Sequence, residues 1–160
     1  MSAREAVTAF IGLGANLGEP VEALRRALQG LGATPGVWDV RASRLYRSAP
    51  VDAGGPWFCN AVAEVRTCLT APALLTVLQE LEQAAGRERP YRNAPRTLDL
   101  DLLLYGSGAI ASPVLTVPHP RLRQRAFVLL PLHELAPAWV AEADLKAVAD
   151  QPIELWPTEA

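Results

Sequence analysis

"FCNAVAEVRTCLTAPALLTVLQELEQAAG", Phe58 to Gly86, changes its hydrophobic period halfway along. From Phe58 to Thr67, Ala61 and Ala63 alternate with Val62, and Val65 with Glu64 and Arg66, as side chains on a strand do. Thr70 then offers a hydroxyl to cap a helix, and Pro72 suits a first turn, where its missing N–H would have had no partner anyway. Leu74, Leu75, Leu78, Leu81 and Ala85 fall on one helical face, and Gly86 ends the helix. The stretch is a strand feeding a helix.

Working outward, "RERPYRNAPRT" (Arg87 to Thr97) reads as a long loop, and "LDLDLLLY" (Leu98 to Tyr105) as a second strand. Upstream, "RSAPVDAGGPW" (Arg47 to Trp57) is a Gly- and Pro-rich loop. Val37 to Tyr46 reads as one strand, with Trp38, Val40 and Ala42 alternating with Asp39 and Arg41. Thr8 to Leu13 reads as a buried strand, followed by a turn at "GANLGEP" and a helix over Val21 to Leu31 on the spacing of Val21, Leu24, Leu28 and Leu31. The glycines of "GLGANLG" are spaced G-x-G-x-x-x-G, one residue off the dinucleotide fingerprint, and read as a tight structural turn. Beyond Tyr105, Pro113, Pro118, Pro120, Pro131 and Pro137 make the chain irregular. The order strand, helix, strand, strand, helix, strand predicts an α+β fold, a ferredoxin-like β-α-β-β-α-β sandwich with an antiparallel sheet and extra C-terminal elements.

The 160 residues suit a single domain with a core of its own. A net charge of −2 gives no global pull toward nucleic acid or an anionic membrane. Cys59 and Cys68 form no CxxC pair and read as reduced thiols of a cytoplasmic protein. No signal peptide and no membrane-span-length apolar run is evident. The positive charge is concentrated: of fourteen arginines, half lie between Arg87 and Arg125.

Into this positive stretch the chain sets Asp99 and Asp101. On a strand both project from one face, roughly 7 Å apart, a spacing from which two carboxylates can ligate a pair of divalent ions some 4 Å apart. Magnesium suits such acids, since it takes oxygen ligands and leans on substrate phosphates; the alternative is a strand end whose acids pair with Arg96 or reach water. Arg87, Arg89, Arg92 and Arg96 lead into the aspartates, and "HPRLRQR" adds His119, Arg121, Arg123 and Arg125. Arginine forks match phosphate oxygens, so the set suggests a triphosphate site with no Walker loop. Phe58, Asn60 and Phe127 could sandwich and read a flat heterocycle, although aromatics at such positions also serve as core.

"RNAPRTLDLDLLLYG" closely resembles the signature of the hydroxymethyl-dihydropterin pyrophosphokinase family, and "FIGLGANLG", "SRLYRSAPV", "FCNAVAEVRT", "ELEQAAGRER" and "LTVPHPRLRQRAFVLLPLHELAP" follow the order of its other blocks. The resemblance implies one pyrophosphokinase domain over residues 1–160, moving pyrophosphate from ATP to 6-hydroxymethyl-7,8-dihydropterin with release of AMP, in tetrahydrofolate biosynthesis. It implies that Asp99 and Asp101 hold two magnesium ions and that Arg87 and Arg96 act on the phosphates. Glu82, Arg89, Arg92, His119 and Arg125 would serve ATP, and Ser48, Val51, Phe58, Asn60 and Phe127 the pterin. The chain departs from the family pattern at Ala15, Ala49, Asn93 and Pro120. Its expected partners are the two substrates, with no nucleic acid and no membrane, and it is expected to be a monomer. The loop from Arg87 to Thr97 is expected to close as a lid over bound MgATP and pterin. The rivals are an RNA-binding ferredoxin-like module, which would need aromatics exposed on the sheet, and a phosphotransferase acting on another alcohol.

Overall fold

The computed structural model describes residues 5–16, 18–49, 56–86 and 98–157. At its centre is a six-stranded antiparallel sheet. The strands are β1 (Val7–Ala15), β2 (Val37–Ala42), β3 (Tyr46–Ser48), β4 (Phe58–Thr67), β5 (Asp99–Tyr105) and, from the C-terminal region, β8 (Ile153–Leu155). The sheet runs β5-β1-β4-β3-β8, and β2 also pairs with β4. A separate small hairpin joins β6 (Ile110–Ala111) to β7 (Thr116–Val117).

One face of the sheet is covered by α1 (Pro20–Gly32) and α2 (Ala71–Ala85). Leu24, Ala27 and Leu31 of α1 and Ala71, Leu74 and Leu78 of α2 are buried there against Ala9, Ile11, Ala61, Ala63, Leu100 and Leu102. Thr70 caps α2 as expected, its Oγ1 accepting from the Ala73 N–H at 3.2 Å. Leu75 and Leu81 pack at the edge of this core, whereas Ala85 is exposed. The two helices approach closely because Gly30 has no side chain: a Cβ there would stand 2.6 Å from Leu81 Cδ2.

The other face carries a second core, and here the expected irregular segment is a helix. α3 (Ala126–Leu135) buries Ala126, Val128, Leu129, Pro131 and Leu132 against Phe10, Val62, Leu103 and Leu104. Pro131 inside a helix costs roughly 3 kcal/mol, but a buried Leu or Val contributes about 1.5–3 kcal/mol, so several together outweigh it. α4 (Glu142–Ala147) follows, and Val140 and Val148 close the same core.

Two further expectations are corrected, and one strand carries an irregularity. The strand read over Val37 to Tyr46 is two strands, because the Arg44 N–H leaves the ladder and donates to Glu134 Oε2 of α3 at 2.8 Å. The strand read over Thr8 to Leu13 extends to Ala15, so Gly14 joins Gly12 inside β1 instead of opening the turn; of the three glycines only Gly18, with φ +64°, has turn geometry. The leucine run of β5 hides a β-bulge: the register with β1 shifts between Phe10 and Ile11, so Leu103 and Leu104 both join the α3-side core. Among the described residues no helix is long and apolar enough to cross a membrane.

Candidate active site

N-terminal to the bulge after Leu102, only one face of β5 is core. Leu98, Leu100 and Leu102 pack toward α1 and α2, which turns Asp99 and Asp101 to the α3 side. Across the ladder, Asp101 stands opposite Gly12 and Asp99 opposite Gly14. On the other side of β1, Gly14 is opposite Asn60 and Gly12 opposite Val62. One row across the sheet therefore reads Asp99, Gly14, Asn60, Tyr46. The middle position has no side chain, so the acids of β5 and the amide of β4 face the same space. With strands about 4.8 Å apart, Asp99 and Asn60 are separated by roughly 10 Å at the backbone.

An open pocket of about 380 Å³ lies at the acidic end, lined by Glu82, Asp99, Asp101, His119, Arg121 and Arg125. Three acids and two arginines meet there, brought from α2, β5 and the segment before α3. Glu82 has a structural tie as well: its Oε2 accepts from the Leu100 N–H at 2.8 Å, on the outer edge of β5. His119 is held by its backbone, whose N–H donates to the Leu103 carbonyl at 2.9 Å. Its Nδ1 accepts from the Arg121 N–H at 3.1 Å, which leaves Nε2 facing Asp101 Oδ1 at 4.0 Å. Burial pushes the His119 pKa down; Asp101 opposes this, while Arg125 and Arg121 add to it, and the net shift is downward. The imidazole is thus neutral near pH 7, with its proton on Nε2.

At the other end of the row, the Ser48 hydroxyl donates to Asn60 Oδ1 at 2.5 Å, and both residues are buried. This fixes the amide, and its Nδ2 lies over Gly14, where a Cβ would stand only 3.1 Å away. Phe58 shares the Asn60 face of β4 and is half-buried. Phe127 sits on the first turn of α3, packed at the border of the second core, with the Arg125 guanidinium 5.3 Å from its ring centroid. Cys59 is on the opposite face, and burial pushes its thiol up to about 11, so it stays protonated.

Of the residues expected from the sequence, Glu82, Asp99, Asp101, His119 and Arg125 line one pocket, and Ser48, Phe58, Asn60 and Phe127 lie on the same side of the sheet. Val51, Arg87, Arg89, Arg92 and Arg96, and with them the expected lid, lie outside the described residues. Two features were missed. Arg121 lines the pocket, though the sequence offered it only as one arginine of a cluster. Gly14 clears the space beside Asn60, and its signal was available: two glycines spaced by two within an apolar strand open one face of it.

Residues 10–137 match the family described as 7,8-dihydro-6-hydroxymethylpterin-pyrophosphokinase (HPPK). The 2-amino-4-hydroxy-6-hydroxymethyldihydropteridine pyrophosphokinase of Pseudomonas aeruginosa is 45% identical over 129 residues, covering 80% of each chain. The protein of the same name from Synechocystis is 41% identical over 132 residues, 82% of this chain and 68% of that one. The crystal structure of a Plasmodium falciparum HPPK-DHPS triple mutant superposes with a TM-score of 0.66 at 12% identity, over 86% of this chain but 41% of the longer one, and so speaks for the fold alone. With most of its length matched by the family and its relatives, the chain belongs to the 7,8-dihydro-6-hydroxymethylpterin-pyrophosphokinase family.

Proposed function

We propose that the row from Asp99 through Gly14 to Asn60 is the path along which pyrophosphate passes from ATP to the hydroxymethyl oxygen of 6-hydroxymethyl-7,8-dihydropterin, giving AMP and the pterin pyrophosphate, a step of tetrahydrofolate biosynthesis. The observation that carries this is the shared face: acids and arginines at one end, a fixed buried amide at the other, and only glycine between. The observed order is β-α-β-β-β-α-β; with β2 and β3, which both pair with β4, taken as one interrupted strand, the sheet β5-β1-β4-β3 supports a ferredoxin-like core. α3 covers the sheet face that an RNA-recognition module would leave open, which argues against that rival.

The residues fit magnesium. The site offers hard carboxylate oxygens, and among the described residues no group of three or more His, Cys, Asp or Glu stands ready to enclose a metal. An ion here would need substrate oxygens and water to complete its shell, which is the habit of magnesium with nucleotides. Two magnesium ions held by Asp99 and Asp101 would neutralise the triphosphate and acidify the pterin alcohol.

The chain's own groups then have separable tasks. Arg121 and Arg125 add positive charge against the phosphates, and the His119 Nε2–H is a neutral donor for a phosphate oxygen. Arg87, Arg89, Arg92 and Arg96 precede the aspartates in sequence and are assigned to the same phosphates. Asn60 Nδ2 donates to the pterin edge, Phe58 and Phe127 hold its faces, and Ser48 borders the edge, to which Val51 is assigned from the sequence. Positioning and charge account for most of such a reaction, since little covalent chemistry falls to the protein.

The test is Asp99→Asn and Asp101→Asn, each assayed for pterin-dependent conversion of ATP to AMP at saturating magnesium. Each should lose at least about a hundredfold in turnover, while far-UV circular dichroism shows the fold retained. Retained turnover in both variants would overturn the reading.

A further inference from the structure

Gln151 lies beyond the residues that match the family, in the segment between α4 and β8. Its side-chain amide reaches back to the start of α3. Oε1 accepts from the Ala126 N–H at 2.9 Å, and Nε2 donates to the Gln124 carbonyl at 2.8 Å. Both partners are backbone groups with one possible role each, so the orientation of the amide is unambiguous. Ala126 opens α3, and the residue before it, Arg125, makes no side-chain cap. An opening helix has N–H groups with no partner inside it; Gln151 supplies one from 25 residues downstream.

The two bonds bracket Arg125. They pin the backbone on both sides of the residue that lines the phosphate pocket, two residues before Phe127, over whose ring the Arg125 guanidinium lies. The chain then turns at once to the other side of the site. The Pro152 carbonyl accepts from the Ala49 N–H at 3.2 Å, and Ile153 pairs with Ser48, the hydroxyl that orients Asn60. Three consecutive residues, Gln151 to Ile153, thus hold both the α3 start and β3.

We infer that Gln151 is a positioning residue for both substrates: it sets the backbone at Arg125 and Phe127, and the segment it begins registers that backbone against Ser48 and Asn60. This rests on the pterin and phosphate assignments proposed above. Removing the amide leaves a donor and an acceptor unpaired at the point from which both side chains are aimed. The loss falls on ligand binding, because α3 remains anchored by its buried leucines.

The experiment titrates 6-hydroxymethyl-7,8-dihydropterin and a non-hydrolysable ATP analogue separately against four variants and follows thermal unfolding of each. Gln151→Ala is expected to raise the pterin Kd about tenfold and the nucleotide Kd several-fold. Gln151→Glu keeps the acceptor and places a negative charge at a helix N-terminus, so its melting temperature holds or rises. It turns an oxygen toward the Gln124 carbonyl, however, and is expected to bind pterin several-fold more weakly than the parent. Val148→Ala removes a methyl pair from the buried tail without touching the site; it is expected to melt earlier yet bind within twofold of the parent. If Val148→Ala weakens binding as much as Gln151→Ala at equal loss of melting temperature, or if both Gln151 variants bind like the parent, the inference fails. Phe127→Ala separates this from the underlying assignment: unchanged pterin binding there would overturn the pterin site itself, whereas lost binding alongside normal Gln151 variants would overturn only the role of Gln151.

Discussion

Gly14 shows how much one missing side chain can decide. A Cβ at this position would stand 3.1 Å from Asn60 Nδ2, tighter than nine in ten real Cβ contacts. Asn60 cannot yield easily, because Ser48 holds its Oδ1 and the residue is buried. Gly14→Ala is therefore expected to tilt the amide and weaken pterin binding by about 1–2 kcal/mol, with nucleotide binding little changed. Fold stability should fall slightly as well, because the held amide cannot give way, and this offsets the gain of about 0.5–1 kcal/mol that alanine has over glycine in a strand interior. Gly12→Ala is the control: its Cβ would meet Leu103 Cδ2 at 3.4 Å, a flexible side-chain end, and pterin binding should stay within threefold. Separate titration of the two ligands checks this, and equal weakening of both by Gly14→Ala would count against the amide as a pterin reader.

Between elements, α3 is tied to the sheet by a polar cluster as well as by its leucines. Glu134 Oε1 accepts from the Tyr46 hydroxyl at 2.7 Å and from Arg44 Nε at 3.2 Å, and Oε2 accepts from the Arg44 backbone N–H at 2.8 Å. Burial pushes the Glu134 pKa up, but the hydrogen bonds from Tyr46 and Arg44 together outweigh it, so the carboxyl sits below its ordinary value. Burial first, and then the bond to Glu134, push the Tyr46 phenol from 10.0 up to about 12. The signs follow from linkage. The Tyr46 contribution is complete below pH 10 and is lost as pH rises toward 12. The Glu134 contribution is complete above the ordinary carboxyl pKa of 4.5 and is lost as pH falls through its lowered value. Tyr46→Phe should cost about 1–2 kcal/mol near neutral pH. Urea unfolding across pH should show the parent losing more stability than this variant between pH 10 and 12. Parallel curves would mean that the phenol does not matter to the packing of α3.

For the molecule as a whole, β1, β4 and β5 contribute side chains to both cores, Ile11 and Phe10, Ala63 and Val62, Leu102 and Leu104 being pairs that point opposite ways. Neither layer of helices can detach without exposing the far side of strands that the other layer needs. Leu78→Ala on the α2 side and Leu129→Ala on the α3 side remove fully buried side chains and should each cost about 2–5 kcal/mol. Both variants should still unfold in one transition. Far-UV circular dichroism and the fluorescence of Trp139 and Trp156, which pack on the second and first cores respectively, should give the same urea midpoint. Two midpoints would show that the layers are independent units.

What could be read in the chain was what is local. Strand β4 was placed at its true limits by alternation, and Thr70 was recognised as a cap because capping involves neighbours. Asp99 and Asp101 share a face because a strand repeats every two residues. The family signature added identities to those positions. Other features depend on groups far apart in sequence, where no local period exists. Val37 to Tyr46 alternates well enough for one strand, but Glu134, 90 residues on, takes the Arg44 N–H and breaks it in two. Pro131 reads as a helix breaker until the second face of the sheet is there to bury α3. Gly14 looks like a turn residue until β4 and β5 pair on either side of β1 and put Asn60 and Asp99 beside it. Gln151 is an ordinary polar residue until the tail folds back and its amide meets two backbone groups at the start of α3. Local periodicity dictates which way a side chain points; only long-range pairing, with its loop-closure cost met by the burial of two cores, dictates what it points at.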